Sequence, residues 1–244
     1  MTPPDFEHAL RQAKLEALAE FAAGAGHEIN NPLATILGRT DLLLRRVNRL
    51  VPSGETAEAA RDLNIIAGQV ARIRDMIGDL MLFARPPAPN LESFPVGEVI
   101  QPVLKSFTDQ ASSQGINLRT DLRGGLLIRA DRTQLAVVLS ELLRNSLQAT
   151  PGGGVITVSA TAPHNDHSFV QLVVEDNGAG LSESDREHLF DPFYSGRQAG
   201  RGLGFGLCKC WRILQLHGGS IDVSPREGGG VTAVTNWPKA QSPS

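Results

Sequence analysis

Apolar residues along the first third of the chain recur at alternating steps of three and four. Leu63, Ile66, Val70, Ile73, Ile77, Leu80 and Ala84 form an a/d seam three heptads long. A similar stripe runs upstream through Leu18, Ala22, Ala25, Ile29, Leu33 and Ile36, continued by Leu43, Val47 and Leu50. Between the stripes, "VPSGET" (51–56) carries proline and glycine and reads as a turn. The pattern predicts an antiparallel helical hairpin. A single hairpin leaves its seam half covered, so pairing with a second copy into a four-helix bundle is the expected solution. Packing of the hairpin on a second domain of its own chain is the alternative.

The period changes after "ARPPAPN" (84–90), a stiff proline cluster that cannot continue a helix. Glycine becomes common there and short alternating runs replace the heptads. "VGEVIQPVLKSFTDQASSQG" (96–115) predicts a helix, and "NLRTDL" and "LLIRA" predict strands. Asp131 followed by Gln134 resembles a capping pair for a helix to about Gln148. "GVITVSATA" and "SFVQLVVED" alternate as strands around the polar turn "PHND". Ser182 can cap a short helix to His188. "GFGLCKCWRILQLHGG" predicts a helix ending at glycines, and "SIDVSP" with "GVTAVTNWP" a final hairpin around "REGGG". The expected organisation is α+β: a helical-hairpin domain over 1–85, a linker over 86–90, a second domain over 91–240 and a tail over 241–244.

Composition narrows the function classes. The chain has 244 residues, 41% apolar and 20% charged, with a formal net charge of -3. No basic stripe points to nucleic acid, and no polybasic cluster points to a membrane surface. No apolar run approaches the roughly 18 residues of a membrane-spanning helix. "MTPPDFEHAL" lacks the basic start and apolar core of a secretory leader, which predicts a cytoplasmic location. Cys208 and Cys210, two residues apart, have poor spacing for a disulfide and supply too few ligands for zinc, so they read as reduced thiols packed near a helix.

Candidate chemistry concentrates in "FAAGAGHEINNPLATILG" (21–38). His27 lies off the apolar seam, with Asn31 and Thr35 at +4 and +8 on the same polar stripe. A neutral imidazole is a good nucleophile at neutral pH. Glu28 can accept a hydrogen bond or a proton from one ring nitrogen, leaving the other richer in electrons for attack on phosphorus. Pro32 removes the N–H that would bond the Glu28 carbonyl, which should bend the helix beside the ring, while Gly24 and Gly26 loosen the preceding turn. "HEINNPL" resembles the phosphoacceptor box of bacterial sensor histidine kinases, especially the branch that includes nitrogen-regulation kinases, and further boxes follow in the expected order over about residues 10–237. The resemblance implies that His27 is the phosphorylated residue and Glu28 its acid/base partner. It also implies that Asn31 places water when the enzyme dephosphorylates its partner, and that the second domain is an α/β sandwich with a mixed sheet.

The second half supplies a candidate nucleotide pocket. "LSELLRNSLQAT" (139–150) sets Glu141 and Asn145 one turn apart on one helical face, where an amide oxygen and a carboxylate can hold Mg²⁺ and its waters. It resembles the family's asparagine box, with Asn145 at the metal-binding asparagine, Glu141 at a position often occupied by Asn and Gln148 where many members carry Lys. In "VVEDNGAGL" (173–181), Asp176 can accept from the adenine amino group, and Gly178 and Gly180 let backbone approach a flat ring. The same residues also make an ordinary turn. The resemblance makes this the first glycine box, with Asp176 reading adenine and Thr232 supporting it, often through water.

"LFDPFYSGRQAGRGLGFGLCKC" (189–210) resembles the phenylalanine box, a lid and the second glycine box, with Phe190, Phe193 and Tyr194 at the lid base. Core packing accounts equally well for Phe190 alone. Gly200, Gly202, Gly204 and Gly206 alternate before a helix, an arrangement that aims free N–H groups and the positive helix end at phosphates, with Leu203 among them. Arg197 and Arg201 are the cations available to the lid; either can reach a phosphate, and one of them can equally stay solvated.

The resemblance implies an ATP- and Mg²⁺-dependent protein histidine kinase, homodimeric, passing its phosphoryl group to the receiver domain of a response regulator. Two other readings remain at this stage. One is a dimeric nucleotide-binding scaffold or phosphatase with weak kinase activity, motivated by Glu141, Gln148 and Arg201. The other is a serine kinase or ATPase of the same nucleotide-binding superfamily, against which the intact "HEINNPL" counts.

Overall fold

The computed structural model describes residues 26, 28–50, 53–84, 86–122, 124–163, 168–191, 194 and 204–240. His27, Arg197, Arg201, Gly202 and Leu203 lie outside them. The chain divides into two compact units, Met1–Pro86 and Pro87–Ser244.

The first unit is the predicted hairpin. Helix α1 (28–47) runs unbroken through Pro32. Helix α2 (Gly54–Ala84) starts at a reciprocal cap: Thr56 N donates to Ser53 Oγ at 3.2 Å, and Ser53 N donates to Thr56 Oγ1 at 2.8 Å. Gly26 approaches α2 so closely that a Cβ there would overlap the Met81 side chain. That glycine therefore serves close helix packing, in addition to the looseness its sequence position suggests. Leu33, Thr40 and Val70 are buried within the hairpin. Ile29, Ile36, Leu43, Ile66 and Ile73, all members of the predicted seams, are between 37% and 46% exposed. One chain alone thus leaves an apolar stripe uncovered.

The second unit is a sheet with helices packed on one face. Five strands run in the order β2 (Asn117–Leu122), β4 (Val155–Thr161), β5 (Phe169–Asp176), β7 (Val231–Pro238), β6 (Ser220–Pro225). The β2–β4 pair is parallel and the others are antiparallel, so the sheet is mixed. Strict alternation turns Ile156, Val158 and Ala160 of β4 inward with Val170, Leu172 and Val174 of β5. They pack against α3 (Gly97–Ser113), α4 (Arg132–Ala149) and α6 (Gly206–Leu216) through residues such as Ile100, Leu139, Leu143 and Ile213. A short helix, α5 (Glu183–His188), follows β5 and starts at the capping box of Ser182 with Asp185.

A second, two-stranded sheet was not legible in the pattern: β1 (Glu92–Pro95) pairs antiparallel with β3 (Leu127–Ala130). Its sequence, ESFP, is too short to alternate and ends in proline. Its anchor is Phe94, which is fully buried with the Arg132 guanidinium 4.2 Å from its ring centroid.

Asp131 ties three parts of the unit together. Its carboxylate accepts from Gln134 N at 3.0 Å, capping α4, and from Asn90 N at 2.9 Å, fixing the segment before β1. Its own N–H donates to Nε2 of the buried His217 at 3.0 Å, just after α6, which leaves His217 Nδ1–H to donate to the Ile213 carbonyl at 2.8 Å. Desolvation pushes the Asp131 carboxyl up, but the N–H groups of Gln134 and Asn90 outweigh it and hold the group below the usual carboxylate range. A lowered folded-state value stabilises the fold above the unfolded value and loses that stabilisation as pH falls through the folded one. Replacing Asp131 with Ala is expected to cost about 1 kcal/mol at neutral pH. The gap should close as pH falls below about 4, as urea melts of both proteins across that range would record.

Candidate functional site

The carboxylate of Asp176 ends β5 at 3% exposure and is met by three donors. Ser146 Oγ from α4 donates to Oδ2 at 2.9 Å. Gly178 N and Val231 N donate to Oδ1 at 3.0 and 3.2 Å. A carboxylate offers roughly four acceptor positions, so one remains for a donor such as an exocyclic amine. Two glycines make this cradle possible. A Cβ on Gly178 would press on the Ala149 carbonyl at the end of α4, and Gly230, at φ 97°, lies against the Asp176 carbonyl where no side chain fits. Gly180 takes a positive φ of 79° in the turn that follows.

Thr232 lies on β7, one residue after a donor to Asp176. Its hydroxyl donates to Glu175 Oε1 at 3.5 Å, its registered partner across β5 and β7. Asp176 itself is supported by the Ser146 hydroxyl and by the backbone N–H groups of Gly178 and of Val231, the residue before Thr232. Sequence reasoning missed Ser146. The signal was available: a hydroxyl at a position of α4 whose neighbours Leu142, Leu143 and Leu147 are all buried.

The face of α4 one turn earlier carries Glu141 and Asn145, and the start of α6 lies beside both. A Cβ on Gly206 would stand 3.1 Å from Glu141 Oε2 and 3.8 Å from Asn145 Nδ2. Glu141 Oε1 accepts from Lys209 Nζ at 2.8 Å and from Arg144 Nη1 at 2.7 Å. Burial would raise the Glu141 carboxyl, but the Lys209 ammonium and then the Arg144 guanidinium outweigh it and hold it low. Among the described residues, no group of three or more His, Cys, Asp or Glu could hold a metal alone. A hard cation beside Asn145 and Glu141 Oε2 would therefore take its other oxygens from a bound ligand and water.

Tyr194 is held by its own contacts. Tyr194 OH donates to Asp185 Oδ1 at 2.9 Å, which raises the phenol's pKa above its ordinary value, and its ring lies 5.1 Å from that of His188. His188 Nδ1 is 2.8 Å from Asp191 Oδ2. Gly204, at φ 72°, packs on the Tyr194 backbone where a Cβ could not fit. Cys208 and Cys210 are thiols buried in α6, and burial pushes the Cys210 thiol well up. On the hairpin, Glu28 and Asn31 are both exposed, and the Asn31 carbonyl accepts from Thr35 Oγ1 at 3.1 Å.

Two family models match the chain. The His Kinase A (phospho-acceptor) domain covers residues 17–89, and the histidine kinase-, DNA gyrase B-, and HSP90-like ATPase covers residues 130–241. Histidine protein kinase DivJ of Caulobacter vibrioides is 32% identical over 97% of this chain and 41% of its own length. Sensor histidine kinase ZraS of Escherichia coli K12 is 32% identical over 93% of this chain and 46% of its own length. Histidine kinase ThkA, solved in complex with response regulator protein TrrA, superposes with a TM-score of 0.65 at 26% identity, covering 97% of this chain and 66% of that one. The chain thus matches a phosphoacceptor hairpin and an ATPase-type domain in that order, and over both it is similar to sensor histidine kinases. It spans less than half the length of DivJ and ZraS. No described helix is long and apolar enough to cross a membrane.

Replacing Ser146 with Ala strips Asp176 Oδ2 of its only hydroxyl donor among the described residues. The expected result is a loss of about 1–3 kcal/mol in stability, read by denaturant melts, and weaker binding of an adenine nucleotide, read by calorimetry.

Proposed function

We propose that this chain is an ATP-dependent protein histidine kinase that phosphorylates itself on His27 and passes the phosphoryl group to an aspartate of a response-regulator receiver domain. The observation that carries the reading is the Asp176 cradle with Asn145 one α4 turn from Glu141, in the same chain as "HEINNPL". Asp176 accepts the adenine amino group, and Gly178 and Gly180 give the ring room. Gly202, Leu203, Gly204 and Gly206 turn N–H groups and the α6 N-terminus toward the phosphates, with Arg197 and Arg201 as the lid's cations. Tyr194 anchors the lid base, and Thr232 adds to the wall on β7. Asn145, with Glu141, holds the metal; Mg²⁺ there supplies charge neutralisation of the triphosphate.

His27 attacks the γ-phosphorus with the lone pair of one ring nitrogen. A P–N bond forms as the P–O bond to ADP breaks, and the proton on the other nitrogen passes to Glu28. Asn31, one turn on, orients water for the reverse task of clearing phosphate from the regulator. The uncovered stripe of Ile29, Ile36, Leu43, Ile66 and Ile73 supports a homodimer in which two hairpins form a four-helix bundle. By the same reading, 1–85 is the dimerisation and phosphoacceptor domain and 91–240 the ATP-binding domain.

Incubation with γ-labelled ATP and Mg²⁺ is expected to give an acid-labile, base-stable label that His27→Ala and Asp176→Asn both abolish. An undiminished label in His27→Ala rejects the reading. ATP binding without label, alongside Asn31-dependent dephosphorylation of a regulator, would instead identify a scaffold or phosphatase. The double variant Ile36→Asp/Ile66→Asp is expected to sediment as a folded monomer, whereas a dimer of unchanged affinity would place the interface elsewhere.

A further inference from the structure

Lys209 breaks the apolar face of α6. Cys208, Cys210, Ile213 and Leu214 around it are buried, and Lys209 itself is 4% exposed. A lysine reaches such a position only when its ammonium is partnered. Here the partner is Glu141 Oε1 on α4, at 2.8 Å and 68 residues away in the chain. Arg144 bonds the same oxygen, but its side chain is 48% exposed, so its hold is screened and weak. Lys209 is therefore the group that fixes the Glu141 rotamer. With Oε1 taken, Oε2 is the oxygen left beside the first turn of α6, sharing one spot at Gly206 with the Asn145 amide.

We propose that Lys209 is a positioning residue: by anchoring one oxygen of Glu141 it presents the other next to Asn145 and the α6 N-terminus, and so sets how strongly a divalent cation strengthens nucleotide binding. The inference rests on the reading of this cleft as a nucleotide site, and it concerns metal dependence rather than phosphoryl transfer to His27.

Positioning and simple charge balance predict opposite signs. If Lys209 only neutralised Glu141, its removal would free a carboxylate and strengthen the pull on Mg²⁺. If it positions Glu141, its removal lets the carboxylate turn away and weakens that pull.

The test uses the full chain, a non-hydrolysable ATP analogue and calorimetry, once in EDTA and once in excess Mg²⁺; the ratio of the two affinities is the readout. Lys209→Met is expected to lower the ratio about fivefold or more while affinity in EDTA stays within about twofold, and Lys209→Arg to restore it. Glu141→Gln should lower the ratio equally, and adding Lys209→Met to Glu141→Gln should change it no further. An unchanged or increased ratio in Lys209→Met overturns the proposal. So does a further fall in the double variant, which remains informative if Lys209→Met alone fails to fold, because the double variant leaves no buried charge unpaired. Absence of analogue binding by the unaltered chain in both buffers would overturn the nucleotide-site reading itself. A metal-dependent ratio with no label on His27 would defeat only the kinase reading.

Discussion

A single buried carboxylate organises the ATPase-type unit. Asp176 sits at the end of a central strand, where ionised oxygens without donors would be expensive. Its three donors come from a helix, from the turn that follows its own strand and from the neighbouring strand. Meeting that demand fixes the end of α4 against β5 and β7, and with it the place of Asn145, the residue before Ser146. The same geometry forces glycine at 178 and 230, because backbone must come within contact of Ala149 and of Asp176 itself. Site and fold share one set of hydrogen bonds here, so a lesion in the cradle is felt in both stability and binding.

A second polar knot lies at the other end of α4. Asp131 joins the helix cap, the segment before β1 and His217 beyond α6. Between the two knots α4 is clamped at both ends, and its buried leucines fill the layer under the sheet. Glu141 and Asn145 therefore ride on a rigid element, the condition under which a metal- or phosphate-directed group keeps its aim. The hairpin has a different character. Its internal contacts bury Leu33, Thr40 and Val70, yet several isoleucines remain exposed. It is an element built to be completed by another surface.

The sequence was most informative where structure is local. Heptad steps marked α2 from Leu63 to its end, the alternating runs fell on β2, β4, β5 and β6 within a residue, and the caps at Asp131 and Ser182 formed as their spacing implied. It was least informative where a short segment depends on a distant partner. ESFP becomes a strand because Leu127–Ala130 lies beside it and Phe94 is buried, not because of its own pattern. Within the site, the chemistry of Asp176, Asn145 and the glycines could be assigned from motif and donor inventory. Lys209 could not, since a lysine within a helix carries no local mark of what it touches, and Ser146 was marked only by its place among the leucines of α4, not by its partner. The contact of the Thr232 hydroxyl with Glu175 follows from the register of β7 against β5, which no local pattern announces.

By itself the sequence determined the two-part organisation, the hairpin with its unfinished seam, the order of helices and strands, and the residue types able to accept an adenine amine or hold a hard cation. Those properties follow from periods of two and of three to four, and from side-chain chemistry, all of which are read within a few residues. Tertiary structure alone decided which hydroxyl meets Asp176, which ammonium meets Glu141, and which face of that carboxylate is left toward Gly206. Those pairs lie 30 and 68 residues apart. They arise from the packing of α4 on the sheet and beside α6, where burial makes each polar group find a partner, and the partner is chosen by position in space.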